Sequence, residues 1–188
     1  MDLSTENTGL RERKKEQKRG RLKEAALELF AERGFDDVTV DEIAERAEVS
    51  KSTLFRYFEN KEDLILADTR AHGDAFLAAF TARPADEPVL SSLRASVHSL
   101  VSDVQADRAR FQRRTRIVTG SPTLSSRSLE RQIEWEDGLA QAILPRFSER
   151  DDAEARASVI AAATLAVIRI ATRRWVAADD TSSLEDHL

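Results

Sequence analysis

The 188 residues include no cysteine, so disulfides, thiolate-held metals and cysteine nucleophiles are excluded at once. Only three histidines occur, and His72, His98 and His187 lie too far apart in sequence to suggest a metal site. Six glycines and four prolines are few for this length, and they fall where periodic segments end. Alternating Val/Ile/Thr runs and Asn-Gly or Asp-Gly turns are missing, which removes the usual strand and hairpin signals. No Gly-rich phosphate loop, G-x-S-x-G elbow or H-E-x-x-H helix is present. An enzyme is therefore not expected, and neither is a cofactor, a metal or a catalytic residue. The first twenty residues lack the apolar core of a secretory signal. The longest apolar run, residues 159–171, is short for a bilayer and contains Arg169. The expectation is a cytoplasmic protein with no membrane partner.

What is present is ordinary globular material, 41% hydrophobic and 34% charged, but its charge is unevenly placed. The net charge of −5 conceals eight basic residues between Arg11 and Lys23, set against only Glu12 and Glu16. Every lysine lies at or before Lys61. A basic N-terminal end on an acidic chain suits a polyanion, although the same run could merely keep a terminus solvated.

Helical periodicity runs through the whole chain. Leu22, Ala26, Leu29 and Phe30 make one apolar stripe on a first helix of about 21–33, ended by Gly34 in a left-handed conformation, with Phe30 meeting Phe35 across the end. Thr39 and Glu42 have capping-box spacing and open a second helix that buries Val40, Ile43, Ala44 and Ala47. Ser50 can cap a third helix, from Lys51 to about Phe58. Asn60 can cap a fourth, which holds Asp63 in its first turn and runs to about Ala82 before Pro84. Further helices are expected over about 88–106, 107–119, 122–144 and 152–178, followed by a polar tail that frays.

The second and third helices, separated by Glu48-Val49-Ser50, have the form of a helix-turn-helix, whose second helix enters the major groove. With Leu54 and Phe58 turned inward, an advance of about 100° per residue puts Ser52 and Arg56 on the opposite face. Thr53 and Phe55 flank them, and Lys51 and Tyr57 lie at the edges. Arginine can read guanine with two hydrogen bonds, hydroxyls reach phosphates, and a ring can touch a thymine methyl. Lys61, near the start of the fourth helix, adds charge where backbone N–H groups already favour a phosphate.

The stretch LKEAALELFAERGFDDVTVDEIAERAEVSKSTLFRYFENKEDLI resembles the DNA-binding domain of TetR-family (tetracycline-repressor-like) regulators over residues 18–66, with the parts in the same order. The resemblance implies phosphate contacts from Thr39, Tyr57 and Lys61, and a recognition face of Lys51, Ser52, Thr53, Phe55 and Arg56. Ser50, Arg19 and Arg21 complete the expected DNA-contact set. It also implies an all-α protein in which a three-helix helix-turn-helix domain precedes a larger helical ligand-binding and dimerisation bundle. The boundaries expected are a flexible basic arm at 1–17, the DNA-binding domain at 18–66, the bundle at 67–178 and a polar tail at 179–188. The implied function is a homodimer on palindromic double-stranded operator DNA, most often a repressor released by a small molecule. The alternative is a regulator or structural DNA-binding protein with no small-molecule ligand. Glu48 departs from the family, many members having glycine there. A left-handed backbone would cost glutamate about 1–2 kcal/mol, so a turn of slightly different geometry is expected.

The last two long helices are the expected dimer interface, through Leu129, Ile133, Ile143, Val167, Ile170 and Arg174. Arg169 interrupts their apolar surface and needs a partner if buried. Glu134 and Glu136 are the candidates for a structural ion pair, and a ligand-facing Arg169 is the alternative. For the effector, Phe76, Phe80, Val97, Leu100, Phe111 and Ile117 fall on inward stripes and are expected to line an apolar pocket. Arg113 and Arg114, within the cluster Arg108–Arg116, would reach an anionic head group. That region loosely resembles actinobacterial TetR-like regulators that include acyl-CoA-responsive and mycofactocin-associated members, which makes an acyl-type effector an expectation.

Overall fold

The computed structural model of the chain describes residues 3–147, 151–178 and 182–188, with side chains from residue 12 onward. The side chain of Arg11 in the basic cluster, residues 148–150 of the last loop and residues 179–181 of the tail lie outside that description. Among the described residues the protein is all helical: α1 (Leu3–Arg33), α2 (Val40–Arg46), α3 (Lys51–Tyr57), α4 (Asp63–Thr81), α5 (Val89–Ala106), α6 (Arg108–Gly120), α7 (Pro122–Ile143) and α8 (Ala153–Ala178), with short 3-10 turns at Leu144–Phe147 and Glu185–His187.

α1 begins well before its apolar stripe. Residues 12–19 are rich in Lys, Arg, Glu and Gln, all good helix formers, so the backbone there is helical although 12–18 are exposed to solvent. From Leu22 the stripe is buried, together with Ile43, Ala44, Leu54 and Phe58, in one core. Gly34 takes φ +86° at the end of α1, its N–H reaching Phe30 O at 2.9 Å. The Phe30 and Phe35 rings meet edge-on at 5.1 Å. The capping box closes as its spacing predicts. Thr39 Oγ1 accepts from Glu42 N–H at 3.3 Å, while the Glu42 carboxylate takes the Thr39 N–H at 2.8 Å and its hydroxyl at 2.7 Å. Those bonds, with Arg33 alongside, hold the Glu42 carboxyl down to about 2.

The turn between α2 and α3 does not change shape to suit its glutamate. Glu48 has φ +55°, the left-handed conformation itself, and its carboxylate meets Arg21 Nη2 at 2.5 Å. The expected alternative geometry is thus corrected: α2 packs on α1, and α3 packs on α2 and shares the same core, so the residue between them carries the strain. Glu48→Gly is therefore expected to preserve or raise thermal stability. It removes about 1–2 kcal/mol of strain and loses an exposed ion pair worth about 0–1 kcal/mol. Glu48→Val should lower the melting temperature. Calorimetry on the three proteins checks the order Gly ≥ Glu > Val.

α4 joins the two halves. Asn60 Oδ1 accepts the Asp63 N–H at 2.9 Å at its start. Leu64, Ile65 and Leu66 then enter the first core, and Phe76 and Phe80, further along the same helix, enter a second. The first core also takes in Val118 and Leu124 from the α6–α7 corner, so the small unit is seated on the large one. Within the bundle, α7 and α8 form the most extensive helix pair.

Two expectations are corrected here. Ile143 is fully buried beside Leu139, Ala157 and Ala161 in the protomer's own core, so it cannot belong to a dimer interface. Residues 182–188 do not fray. Leu184 is 2% exposed against Val101, Val104, Trp175 and Val176, and the Trp175 indole N–H donates to Ser182 O at 2.8 Å. One apolar residue in a polar tail is enough when it caps a buried indole.

Candidate nucleic-acid interface and buried cavity

α3 presents the side chains that the helical phase predicts. Leu54 and Phe58 are buried, whereas Lys51, Ser52, Phe55 and Arg56 are exposed. Thr53 is half-buried at the edge. Ser50 Oγ accepts the Thr53 N–H at 3.2 Å and lies within hydrogen-bond distance of both the Ser52 and Thr53 hydroxyls, tying three hydroxyls to the helix start. Phe55 remains 45% exposed, unusual for a ring on a small domain. Arg56 lies over the Tyr57 ring at 5.3 Å, and no carboxylate among the described residues pairs with it. Lys51 meets Asp41 at 2.9 Å.

The flanking cations are more committed. Lys61 Nζ donates to Phe35 O at 2.8 Å and Val38 O at 3.0 Å, and sits 4.0 Å from the Phe35 ring centroid. It pins the loop that presents Thr39, leaving one N–H for a phosphate. Arg21 neutralises Glu48, and Arg19 lies over the Phe58 ring at 5.7 Å. Both therefore support the helix-turn-helix from α1.

A cavity of about 190 Å³ opens between α4, α5, α6, α7 and α8. Phe76, Leu100, Phe111 and Arg114 line it as expected, joined by His72, Trp135, Leu165, Gln132, Arg169 and Arg173. Four expected lining residues are elsewhere. Phe80 is fully buried beneath Arg146, Val97 packs between two cores, Ile117 packs on the DNA-binding core, and Arg113 is exposed to solvent. Two of the missed residues share a face of α4 with Phe76: His72 precedes it by four residues and Thr69, also in the lining, by seven. That spacing was visible, but an apolar stripe does not draw the eye to its polar members.

The same helix face carries an ionic cluster facing the small domain. Asp68 meets Lys23 of α1 at 2.6 Å, Arg114 at 3.6 Å and Arg110 at 3.8 Å, and Arg110 also pairs with Glu24 of α1. Burial pushes the Asp68 carboxyl up, but the three cations outweigh it and hold the group below its ordinary value. Arg114, almost fully buried, donates to His72 Nδ1 at 3.2 Å and stacks over Phe111 at 4.9 Å. Burial, then the charge of Arg114, pull His72 below the usual histidine value, so it is neutral at pH 7 and free to accept that bond.

The ion pair expected for Arg169 does not form. Glu134 pairs with Arg131 at 3.7 Å and Glu136 accepts from Gln132 at 2.9 Å, both along α7 itself. On the outer side, Leu129 and Ile133 of α7 and Val159, Val167 and Ile170 of α8 are 45–68% exposed, with Arg174 also exposed. α8 is long and apolar enough to cross a membrane by length and composition alone. Here it packs along α7, and its outward apolar residues continue the exposed patch on that helix.

Residues 22–67 match the sequence profile of the bacterial regulatory proteins of the tetR family, and residues 87–188 match that of the MftR C-terminal domain. The transcriptional regulator TcmR of Streptomyces glaucescens is 36% identical over 179 residues, covering 92% of this chain and 79% of that protein. The chain belongs to the TetR family. MftR of Mycobacterium tuberculosis, named for regulation of mycofactocin biosynthesis, is 26% identical over 89% of this chain and 83% of its own length. The crystal structure of NalD, the secondary repressor of the MexAB-OprM multidrug efflux pump in Pseudomonas aeruginosa, has the same fold. It superposes with a TM-score of 0.66 at 20% identity over 90% of each chain. TetR-family proteins are DNA-binding transcriptional regulators and not enzymes, and this chain is such a regulator. The family acts as dimers on operator DNA with small-molecule effectors.

Proposed function

We propose that the protein is a cytoplasmic, homodimeric repressor that leaves a palindromic operator when a mainly apolar small molecule enters the cavity between α4 and α8. One observation carries this reading: the cavity wall and the DNA-reading unit share the Asp68 cluster. Arg114 lines the cavity and holds Asp68, and Asp68 holds Lys23 on α1, the helix that carries α2 and shares its core with α3. A ligand that moves Arg114 or the Phe111 ring must rearrange buried charges that fix α1 relative to α4. The two heads of a dimer would then no longer match the half-site spacing. The bias required is modest, about 1.4 kcal/mol of differential affinity for each tenfold loss of operator binding. The exposed apolar residues Leu129, Ile133, Val167 and Ile170 support a two-fold contact through α7 and α8. An acyl chain remains an effector candidate on apolar grounds, but Arg113 points away from the cavity and cannot supply the head-group contact proposed for it.

The test is gel retardation with a panel of fatty acids, acyl-CoA thioesters, aromatic acids and neutral apolar drugs. At least one apolar compound is expected to release the DNA and raise the melting temperature. Release by small polar molecules alone would contradict the apolar cavity, and a DNA complex indifferent to every compound would favour the ligand-free alternative.

A further inference from the structure

The cavity lining contains three arginines, Arg114, Arg169 and Arg173, and no carboxylate. They are not equivalent. Arg114 is held by Asp68 and His72 and stacked on Phe111, so its charge is already answered. Arg173 is exposed at the rim. Arg169 lies within the most apolar part of α8, and its Nε is buried without a hydrogen-bond partner. The carboxylates best placed by sequence to pair with it, Glu134 and Glu136, are bonded along α7. A guanidinium carries donors and no acceptor, so only an acceptor can satisfy its buried Nε–H. Arg169 is half-buried, and its buried Nε–H has no acceptor; an arriving acceptor would satisfy it, and an anion better than a neutral group.

We propose that Arg169 is the anion-recognition residue of the cavity, and that the effector is an apolar molecule bearing one carboxylate or similar oxyanion. The ring or chain of that molecule lies against Phe76, Phe111, Trp135 and Leu165, and its acid group reaches Arg169. This inference rests on the cavity being the effector site. It replaces the arginine cluster of α6 with a single residue of α8 as the head-group contact, and it disfavours cationic effectors. Because α8 also carries the outward apolar face, a carboxylate from a second protomer is the competing partner for Arg169.

Two matched pairs of probes test it on the full-length chain, read by calorimetric titration and by tryptophan quenching: decanoate against 1-decanol, and 2-naphthoate against 2-naphthalenemethanol. In the native protein at least one acid is expected to bind about tenfold or more tightly than its alcohol, the scale of one charge-assisted contact. Arg169→Met should abolish that preference while leaving the alcohol bound, and Arg169→Lys should keep part of it. Arg173→Met should leave most of it. If the alcohols bind as well as the acids, or the acid preference survives in Arg169→Met, the proposal is overturned while the cavity reading stands. Loss of dimer in Arg169→Met by sedimentation, with acid preference intact, would assign Arg169 to the partner protomer instead. If no probe binds and tryptophan emission never changes, both readings fail. The acid–alcohol comparison needs only the native protein, so poor folding of a variant does not block the test.

Discussion

Arg56→Ala is expected to weaken binding to the cognate operator by about 1–3 kcal/mol per reading head, roughly 5- to 150-fold, and to relax base preference at one position in each half-site. Arg56 is exposed on the helix face opposite Leu54 and Phe58, and no described carboxylate competes for its guanidinium. Its stacking on Tyr57 holds the fork outward, which lowers the rotamer entropy lost on meeting a guanine edge. Affinity for random duplex should fall much less. Lys61→Ala should behave differently. It removes a phosphate contact and also frees the Phe35 and Val38 carbonyls that Lys61 pins, so specific and random DNA should be lost together, with some loss of stability. Fluorescence anisotropy on matched specific and scrambled duplexes separates the two. Equal losses on both duplexes for Arg56→Ala would contradict the base-reading role.

Gly73→Ala is expected to uncouple the regulator from its effector. A Cβ at Gly73 would lie 2.1 Å from Trp135 Cε2 and 2.3 Å from Cζ2. The indole is rigid, so it must tilt as a whole, and Trp135 forms part of the cavity wall. Overpacking of this kind costs about 1–3 kcal/mol, a fall of a few degrees in melting temperature for a chain of this length. The fold should survive, because α4 and α7 also meet through other contacts. Operator affinity should stay near native, since the substitution is far from α3, whereas effector affinity should drop at least about tenfold. Trp135 is one of two tryptophans, so its altered packing should show as a changed emission spectrum. Gly138→Ala is the control: its Cβ would meet only the end of Leu77, at 3.1 Å, and should have little effect. Native effector release by Gly73→Ala would mean that Trp135 is not part of the ligand site.

The helix-turn-helix was legible almost residue by residue because each of its signals is local. Thr39 with Glu42, Ser50 with Thr53 and Asn60 with Asp63 are pairs three residues apart, and each forms the predicted bond. Leu54 and Phe58 fix the phase of α3, and the phase fixes which side chains face outward. The cavity was legible only in part, since its members come from five helices whose rotations the sequence does not specify. Phe80 and Phe76 occupy successive positions on one stripe, yet one is sealed beneath Arg146 and the other opens on the cavity. Ile143 is as apolar as Ile133, and only the α7–α8 packing decides which of them is inside. Asp68 and His72, and the tie that Arg114 makes to them, were not legible for a related reason. A buried ionic cluster built from α1, α4 and α6 has no spacing signature along the chain. Glu48 shows the reverse case. Its departure from glycine was evident in the sequence, but the tertiary contacts of α2 and α3 determined that the residue would bear the strain.

The most direct measurement is selection of binding sites from a random duplex library by the full-length native chain and by Arg56→Ala in parallel. The native protein should enrich an inverted repeat whose half-site centres are about one helical turn, roughly 34–36 Å, apart or somewhat more. Arg56→Ala should enrich the same repeat with one base per half-site no longer specified. Enrichment of no common sequence, or of an asymmetric site that Arg56→Ala leaves unchanged, would contradict a two-fold regulator reading DNA through α3.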